Sequence, residues 1–168
     1  MKIITVAAAI ILNSDRQLLL VVRKKNTDCF MQVGGKLEPD EAPEYTMLRE
    51  IQEEIGCQAE IQQFIGRFET QTANEPDYQL VSYVYLVQLD GEPHIEAEIA
   101  EMKWVDLDQE DVKLAPLTTE IVIPWVKSYL GLKRTYWHKP NLKFGSCQTG
   151  GINLLTAQFF QLLAQSSN

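Results

Sequence analysis

Runs of apolar residues broken by polar turns open the chain and predict β-strands. Residues 2–12 and 17–23 are rich in Ile, Leu and Val, and the polar stretch 13–16 between them suits a hairpin turn. A shorter apolar run covers residues 29–33. The first run resembles a secretory signal core, but a second strand-like run follows it where a cleavage site would stand, which favours a buried strand.

The periodicity changes at Gly34 and Gly35, where the third run ends. A loop over residues 36–40 follows, and residues 41–55 then carry apolar positions with helical spacing. Gly56 supplies a stop signal, because glycine readily adopts the left-handed conformation that ends many helices. The pattern predicts a strand, a glycine loop and a helix in direct succession.

Three carboxylates, Glu50, Glu53 and Glu54, fall within an arc of roughly 100° on this predicted helix. The prediction places them opposite an apolar face that contains Tyr45, Leu48, Ile51 and Ile55. Like charges at this spacing repel one another unless a cation lies between them. An acidic helix face is more often simply solvated, so the arc alone does not establish a metal site.

The remaining elements complete a mixed pattern of strands and helices. Strands are predicted over residues 58–70, 78–88 and 102–105. Residues 118–130 look helical, with Pro124 either kinking the helix or marking its start. The order predicts an α/β fold, an α/β/α sandwich in which helices cover a mixed β-sheet.

The composition changes after Gly131, which divides the chain into a domain over residues 1–130 and a C-terminal extension over 131–168. An amphipathic segment at 154–164 either packs on its own domain or offers an apolar face to a second subunit, so a homodimer is one expectation. The basic residues of the extension fit an exposed segment better than a nucleic-acid surface, and they are Lys133, Arg134, Lys139 and Lys143.

Composition indicates an ordinary globular protein. Of the 168 residues, 45% are hydrophobic and 23% are charged, and no stretch reaches the ~20 apolar residues that span a membrane. The formal charge of −8 would repel phosphates unless cations intervene. The cysteines Cys29, Cys57 and Cys147 are too widely spaced to suggest a disulfide framework or a zinc site, so a cytoplasmic location is expected.

One spacing pattern favours a metal site over a merely solvated acidic face on this helix. It runs Gly35, five residues, Glu41, seven residues, and then residues 49–57 with the sequence REIQEEIGC. This resembles the Nudix box, G-x5-E-x7-R-E-U-x-E-E-x-G-U with U aliphatic, at a chance level on the order of 10⁻⁹ per starting position. Cys57 replaces an aliphatic residue and Asp40 stands where glycine is common, but neither change removes an oxygen ligand.

The resemblance implies a Mg²⁺-dependent hydrolase that cuts a pyrophosphate bond in a nucleoside diphosphate-linked substrate, with Mn²⁺ as the alternative ion. Arg49 would orient a glutamate, Glu41 would brace the loop through Arg49 or the backbone, and Gly35 and Gly56 are structural positions of the motif. One motif glutamate, such as Glu53, or a later loop glutamate would act as the base. The metal ligands that the resemblance implies are Gly34, Glu50, Glu53 and Glu54.

Further site residues are expected outside the box. In the family a late loop often contributes another acidic residue, and Glu98 is favoured over Glu96 and Glu101, although an exposed acidic loop explains all three equally simply. Lys36 or Arg23 would reach a substrate phosphate, against the alternative that they are ordinary surface cations.

The start of the box resembles the MutT-like branch, which converts nucleoside triphosphates, including oxidised purines, to monophosphates. That branch often reads the purine with an Asn near the late helix, and residues 114–120 contain none. Hydrolysis of ADP-ribose, nucleotide sugars or dinucleoside polyphosphates is the alternative, as is a nucleotide-binding module without catalysis, although such modules usually have a broken box. Four aromatic residues either stack on a base or belong to the core, namely Phe68, Tyr83, Tyr85 and Trp104.

Overall fold

A computed structural model gives the three-dimensional structure and describes residues 2–25, 28–73, 77–109 and 111–131. Helix α1 covers Pro43–Ile55, and helix α2 covers Ile123–Tyr129 directly after a π-helical turn at Thr118–Val122. The strands are β1 (Lys2–Ile11), β2 (Leu18–Arg23), β3 (Val33–Lys36), β4 (Gln58–Gln71), β5 (Tyr78–Asp90) and β6 (Ile99–Val105).

Four strands form the central sheet in the order β3-β1-β5-β4. The sheet is mixed, because β1 and β5 run parallel whereas the β1–β3 and β4–β5 pairs are antiparallel. β2 and β6 form a second, two-stranded antiparallel sheet that was not predicted. The predicted α/β class with a mixed sheet is confirmed.

Strand β1 divides the core into two layers. Ala7, Ala9 and Ile11 pack with the buried residues of α1, whereas Ala8 and Ile10 pack with those of the π-helical turn and α2. Because successive side chains of a strand point to opposite faces, one apolar strand serves both layers. The strand is therefore the centre of the sandwich, and α1 lies on one side of it.

The turn after β1 does not produce the predicted hairpin. Asn13 Oδ1 accepts hydrogen bonds from the backbone N–H groups of Asp15 (3.0 Å) and Gln17 (2.9 Å), and Leu12 and Leu18 form one antiparallel bridge. Beyond that bridge β2 pairs with β6, since β3 and β5 already occupy both edges of β1.

The predicted glycine loop is also wrong, because Gly34 and Gly35 lie within β3 and pair with Ala8 and Ala7 of β1. Gly34 has φ +148°, and a Cβ atom there would overlap the Ala7 carbonyl oxygen and approach Ala8 Cα to 2.9 Å. The glycine residues therefore let two backbones approach closely within the sheet.

The observed boundaries of the remaining helices and strands lie closer to the predicted ones. α1 begins two residues after the predicted start at Glu41 and is capped by Gly56 in the left-handed conformation, with φ +66°. β6 begins at Ile99 rather than residue 102. Pro124 lies in the first turn of α2, which continues without a break from the π-helical turn.

No helix in the described part of the chain is long and apolar enough to cross a membrane. The predictions for the extension beyond Gly131, including the segment 154–164, the homodimer and the basic residues, lie outside the described residues, as does Cys147. Cys29 and Cys57 are buried free thiols.

Asp40 explains why glycine is common at this position of the box. Its φ is +62°, a left-handed conformation that Asp tolerates better than most residues. We expect Asp40→Ala to destabilise the protein by about 1 kcal/mol and Asp40→Gly to stay within about 0.5 kcal/mol of the wild type. Urea unfolding of the three proteins measures this, and equal stability of the Ala and Gly variants would contradict the backbone explanation.

Candidate active site

The three glutamate side chains of α1 differ widely in their exposure to solvent. The side chain of Glu53 is 55% exposed, that of Glu50 is 16% exposed and that of Glu54 is only 6% exposed. The predicted separation into an acidic face and an apolar face is therefore wrong for Glu54, which lies on the buried side of the helix. Tyr45, predicted to be apolar core, is instead 64% exposed.

Helical geometry accounts for this correction. Met47 and Ile51 are completely buried in the layer that packs on the sheet. Glu54 follows Met47 by two turns and lies only about 20° from it around the helix axis. A helical wheel that included Met47 in the apolar arc would have shown that Glu54 points toward the core.

Arg49 joins three carboxylates of the motif. Its Nε and Nη2 atoms donate to the two oxygens of Glu41, at 2.9 and 3.1 Å. Its Nη1 atom donates to Glu50 Oε1 at 2.9 Å and to Glu53 Oε2 at 3.2 Å. The forked guanidinium thereby fixes the directions of the two helix carboxylates relative to the loop before the helix.

Glu41 ties that loop to the helix. Besides Arg49, its Oε2 atom accepts hydrogen bonds from the Glu38 N–H group and the Thr46 hydroxyl. These donors hold the pKa of Glu41 low, at about 2, with the Arg49 hydrogen bond the largest cause. Thr46 was missed from the sequence, since nothing in the motif marks a hydroxyl at that position as a partner of Glu41.

Glu54 joins the helix to strand β3. The Gly34 N–H group donates to Glu54 Oε2 at 3.1 Å, and Arg23 donates to Glu54 Oε1 through Nε at 3.0 Å. The Nη2 atom of Arg23 lies 2.7 Å from the same oxygen and also donates to the Gly34 carbonyl. Arg23, predicted to meet a substrate phosphate, thus contacts two of the predicted metal ligands.

Burial raises the pKa of Glu54 to about 7, against the opposing effects of Arg23 and the Gly34 N–H group. Since the unfolded value is near 4.5, the folded protein retains this proton over a pH range in which the unfolded chain has lost it. Glu54 therefore favours the folded state below pH 4.5, and that contribution is lost as the pH rises toward 7.

The resulting pH dependence is a testable prediction for the protein without divalent ions. Between pH 4.5 and 7 this group should remove about 3 kcal/mol from the free energy of unfolding, because one pKa unit corresponds to about 1.36 kcal/mol. Urea unfolding in EDTA across that range measures the loss. Glu54→Gln should lack this component, and parallel profiles for the two proteins would contradict the assignment.

The late loop reaches the same end of α1 through its backbone. The His94 N–H group donates to the Ile55 carbonyl and the Glu96 N–H group donates to the Glu54 carbonyl, both at 3.0 Å. The loop then returns to the end of β2, where the N–H group of Lys24, one residue after the strand, donates to the Glu98 carbonyl at 2.7 Å. The Glu98 side chain is exposed. These backbone contacts could not be predicted, because they join segments remote in sequence.

The other predicted residues lie around this centre. Lys36 is exposed at the end of β3, opposite Val6 of β1. Gly35 lies against Glu50, since a Cβ atom on Gly35 would overlap the Glu50 carboxylate. The four aromatic residues favour the core interpretation, because Phe68 and Tyr85 are buried and Tyr83 and Trp104 are partly buried within the core layers.

The donor chemistry of this centre suits a hard divalent ion, with three carboxylates on one helix and a backbone carbonyl from the strand beneath it. The Arg23 guanidinium on Glu54 and Gly34 shows that a cation is stable at that point. Within the described ranges no group of three acidic, His or Cys side chains is arranged for a metal. Arg49 bonds to Glu50 and Glu53, and Arg23 bonds to Glu54.

Comparison with known proteins agrees with the motif. A family model described as the NUDIX domain matches residues 1–126. The chain is 38% identical over 69 residues to the CTP pyrophosphohydrolase of Escherichia coli K12, a match that covers 39% of this chain and 50% of that protein. It is 31% identical over 97 residues to the 8-oxo-dGTP diphosphatase of the same strain, which covers 55% of this chain and 73% of that protein.

Among solved structures, the MutT protein of Methanosarcina mazei Go1 shares the fold with a TM-score of 0.63. It is 21% identical, and the match covers 77% of this chain and 96% of that one. The chain matches 96% of this solved structure but only about half the length of the CTP pyrophosphohydrolase.

Proposed function

The chain belongs to the NUDIX domain family, and from this membership we propose that it is a Mg²⁺-dependent pyrophosphohydrolase that converts nucleoside triphosphates to a nucleoside monophosphate and pyrophosphate. One observation carries the proposal: Arg49 and Arg23 orient three glutamates of α1 beside the backbone of β3. The related CTP pyrophosphohydrolase and 8-oxo-dGTP diphosphatase support the substrate class.

The proposed metal ligands are Glu50, Glu53, Glu54 and the Gly34 carbonyl. A divalent ion bound by them would neutralise pyrophosphate oxygens and lower the pKa of a water molecule. It would also supply the positive charge that a protein of net charge −8 needs in order to bind a triphosphate. Lys36, exposed at the end of β3, is proposed to contact a substrate phosphate.

Glu53 is the proposed base, because it is the most exposed of the three helix carboxylates and Arg49 fixes its direction. The water oxygen attacks one phosphorus and its proton passes to Glu53. The bond from that phosphorus to the bridging oxygen breaks, and the electron pair stays on that oxygen, which leaves as part of the nucleoside monophosphate or of the pyrophosphate. Glu98 is proposed to assist from the late loop, whose backbone is fastened to the end of α1.

A hydrolysis screen with Mg²⁺ tests the proposal. The panel contains canonical and oxidised nucleoside triphosphates, ADP-ribose, dinucleoside polyphosphates and nucleotide sugars, with every product resolved by ion-exchange chromatography. Monophosphate and pyrophosphate from triphosphates is the expected result. Turnover confined to ADP-ribose or dinucleotides would overturn the substrate class, and no turnover of any compound would overturn the enzymatic role in favour of a binding module.

A further inference from the structure

The positively charged side chain of Arg23 contacts both Glu54 and Gly34, two of the residues proposed to bind metal. Arg23 donates to Glu54 Oε1 through Nε at 3.0 Å, and its Nη2 atom lies 2.7 Å from that oxygen while also donating to the Gly34 carbonyl. Its Nη1 atom lies 3.0 Å from Met31 Sδ. All three nitrogens of the guanidinium are therefore engaged at this point.

A metal ion bonded to the same oxygens would need the space that Nη2 occupies. Mg²⁺ lies about 2.0–2.1 Å from its oxygen ligands, closer than a hydrogen-bonding nitrogen. The other oxygen of Glu54 is engaged by the Gly34 N–H group, and the Glu54 side chain is only 6% exposed. An ion bonded to Glu54 Oε1 and the Gly34 carbonyl would therefore compete with the Arg23 guanidinium for the same two oxygens.

We propose that Arg23 is a placeholder cation, a positioning residue that holds Glu54 and the Gly34 carbonyl in their places before metal binds and moves aside when the ion arrives. This inference rests on the proposed function, which assigns both residues to the metal. A buried carboxylate without a partner is costly, so a cation supplied by the protein keeps the site assembled while no ion is present. The same contact weakens metal binding, because the ion must displace it.

Removing the placeholder should therefore tighten metal binding. The test titrates Mn²⁺ into the full chain without substrate and follows the electron paramagnetic resonance signal of the free ion. Arg23→Gln should lower the Kd for Mn²⁺ by roughly tenfold, because the site no longer has to exchange one cation for another. The matched control is Arg67→Gln, which removes an arginine paired with Glu69 on β4 at 2.8 Å and should stay within about twofold of the wild type.

A measurement on the wild-type protein covers the case in which Arg23→Gln does not fold. The Nε–H resonance of Arg23, identified by its absence in an Arg23→Lys spectrum, is followed by ¹H–¹⁵N NMR during a Mg²⁺ titration. It should shift in proportion to the bound ion as its hydrogen bond to Glu54 is lost. A resonance unmoved at saturation would overturn the placeholder role.

The outcomes separate this inference from the proposed function. If the wild type binds the ion and Glu54→Gln weakens that binding, but Arg23→Gln leaves the Kd unchanged or raises it, the placeholder fails while the metal site stands. If the wild type binds neither Mn²⁺ nor Mg²⁺, the metal assignment fails and the placeholder fails with it. A lower Kd for Arg23→Gln together with a moving Nε–H resonance supports both.

Discussion

Glu53→Gln is expected to lower kcat by roughly 10²- to 10⁴-fold, the contribution of a positioned general base, and to leave the fold intact. The amide keeps the size of the side chain but cannot accept the proton of the attacking water. Because the Glu53 side chain is 55% exposed and its bond to Arg49 is 3.2 Å long, the free energy of unfolding should change by no more than about 0.5 kcal/mol. Steady-state kinetics on the best substrate of the screen and urea unfolding measure the two effects.

The matched control for this variant is Glu60→Gln, which changes an exposed glutamate on β4 in the same way and should keep full activity. Near-complete activity in Glu53→Gln would remove Glu53 from the chemistry and leave Glu98 as the next candidate base. A fall in kcat that matched a fall in the folded fraction would mean that the variant reports on stability rather than on proton transfer.

The helix and its cap could be predicted because their determinants are local. Apolar spacing over residues 41–55 and a glycine at position 56 dictate an amphipathic helix with a left-handed C-cap, and the structure has both. The motif also brings Arg49 within reach of Glu53, four residues later and on the adjoining turn. Such contacts follow from helical geometry whatever the rest of the chain does.

The burial of Glu54 depends on the sheet and was missed. Whether a position on a helix faces solvent is decided by the element packed against it, here β3, whose Gly34 N–H group donates to the Glu54 carboxylate. Arg23 reaches the same carboxylate from β2, 31 residues earlier in the chain. No local pattern marks such a pair, so the ion pair between Arg23 and Glu54 could not be predicted from the sequence.

The failure of the hairpin prediction has a similar cause. The polar turn after β1 is real, and Asn13 organises it through its side-chain oxygen. β2 nevertheless cannot pair with β1, because β3 and β5 already occupy both edges of β1, and it pairs with β6 instead. Because β3 pairs with β1, Gly34 and Gly35 lie inside the sheet instead of in the loop that the sequence predicted.

Gly34→Ala should cost about 3 kcal/mol or more of folding free energy. A Cβ atom at this position would overlap the Ala7 carbonyl oxygen and lie 2.9 Å from Ala8 Cα. Both are backbone atoms of β1, which is buried on both faces and cannot move away. The φ of +148° adds strain, since residues other than glycine rarely adopt it.

Gly91→Ala separates the two contributions to that cost. Gly91 also has a positive φ, +108°, but a Cβ atom there would meet nothing within 4 Å. Its substitution should therefore show the backbone strain alone, and the difference between the two variants in urea unfolding measures the clash with β1. Equal losses would mean that β1 and β3 separate without cost. If Gly34→Ala retains some folded protein, its metal affinity should also fall, since Gly34 bonds to Glu54 through its N–H group and its carbonyl is a proposed ligand.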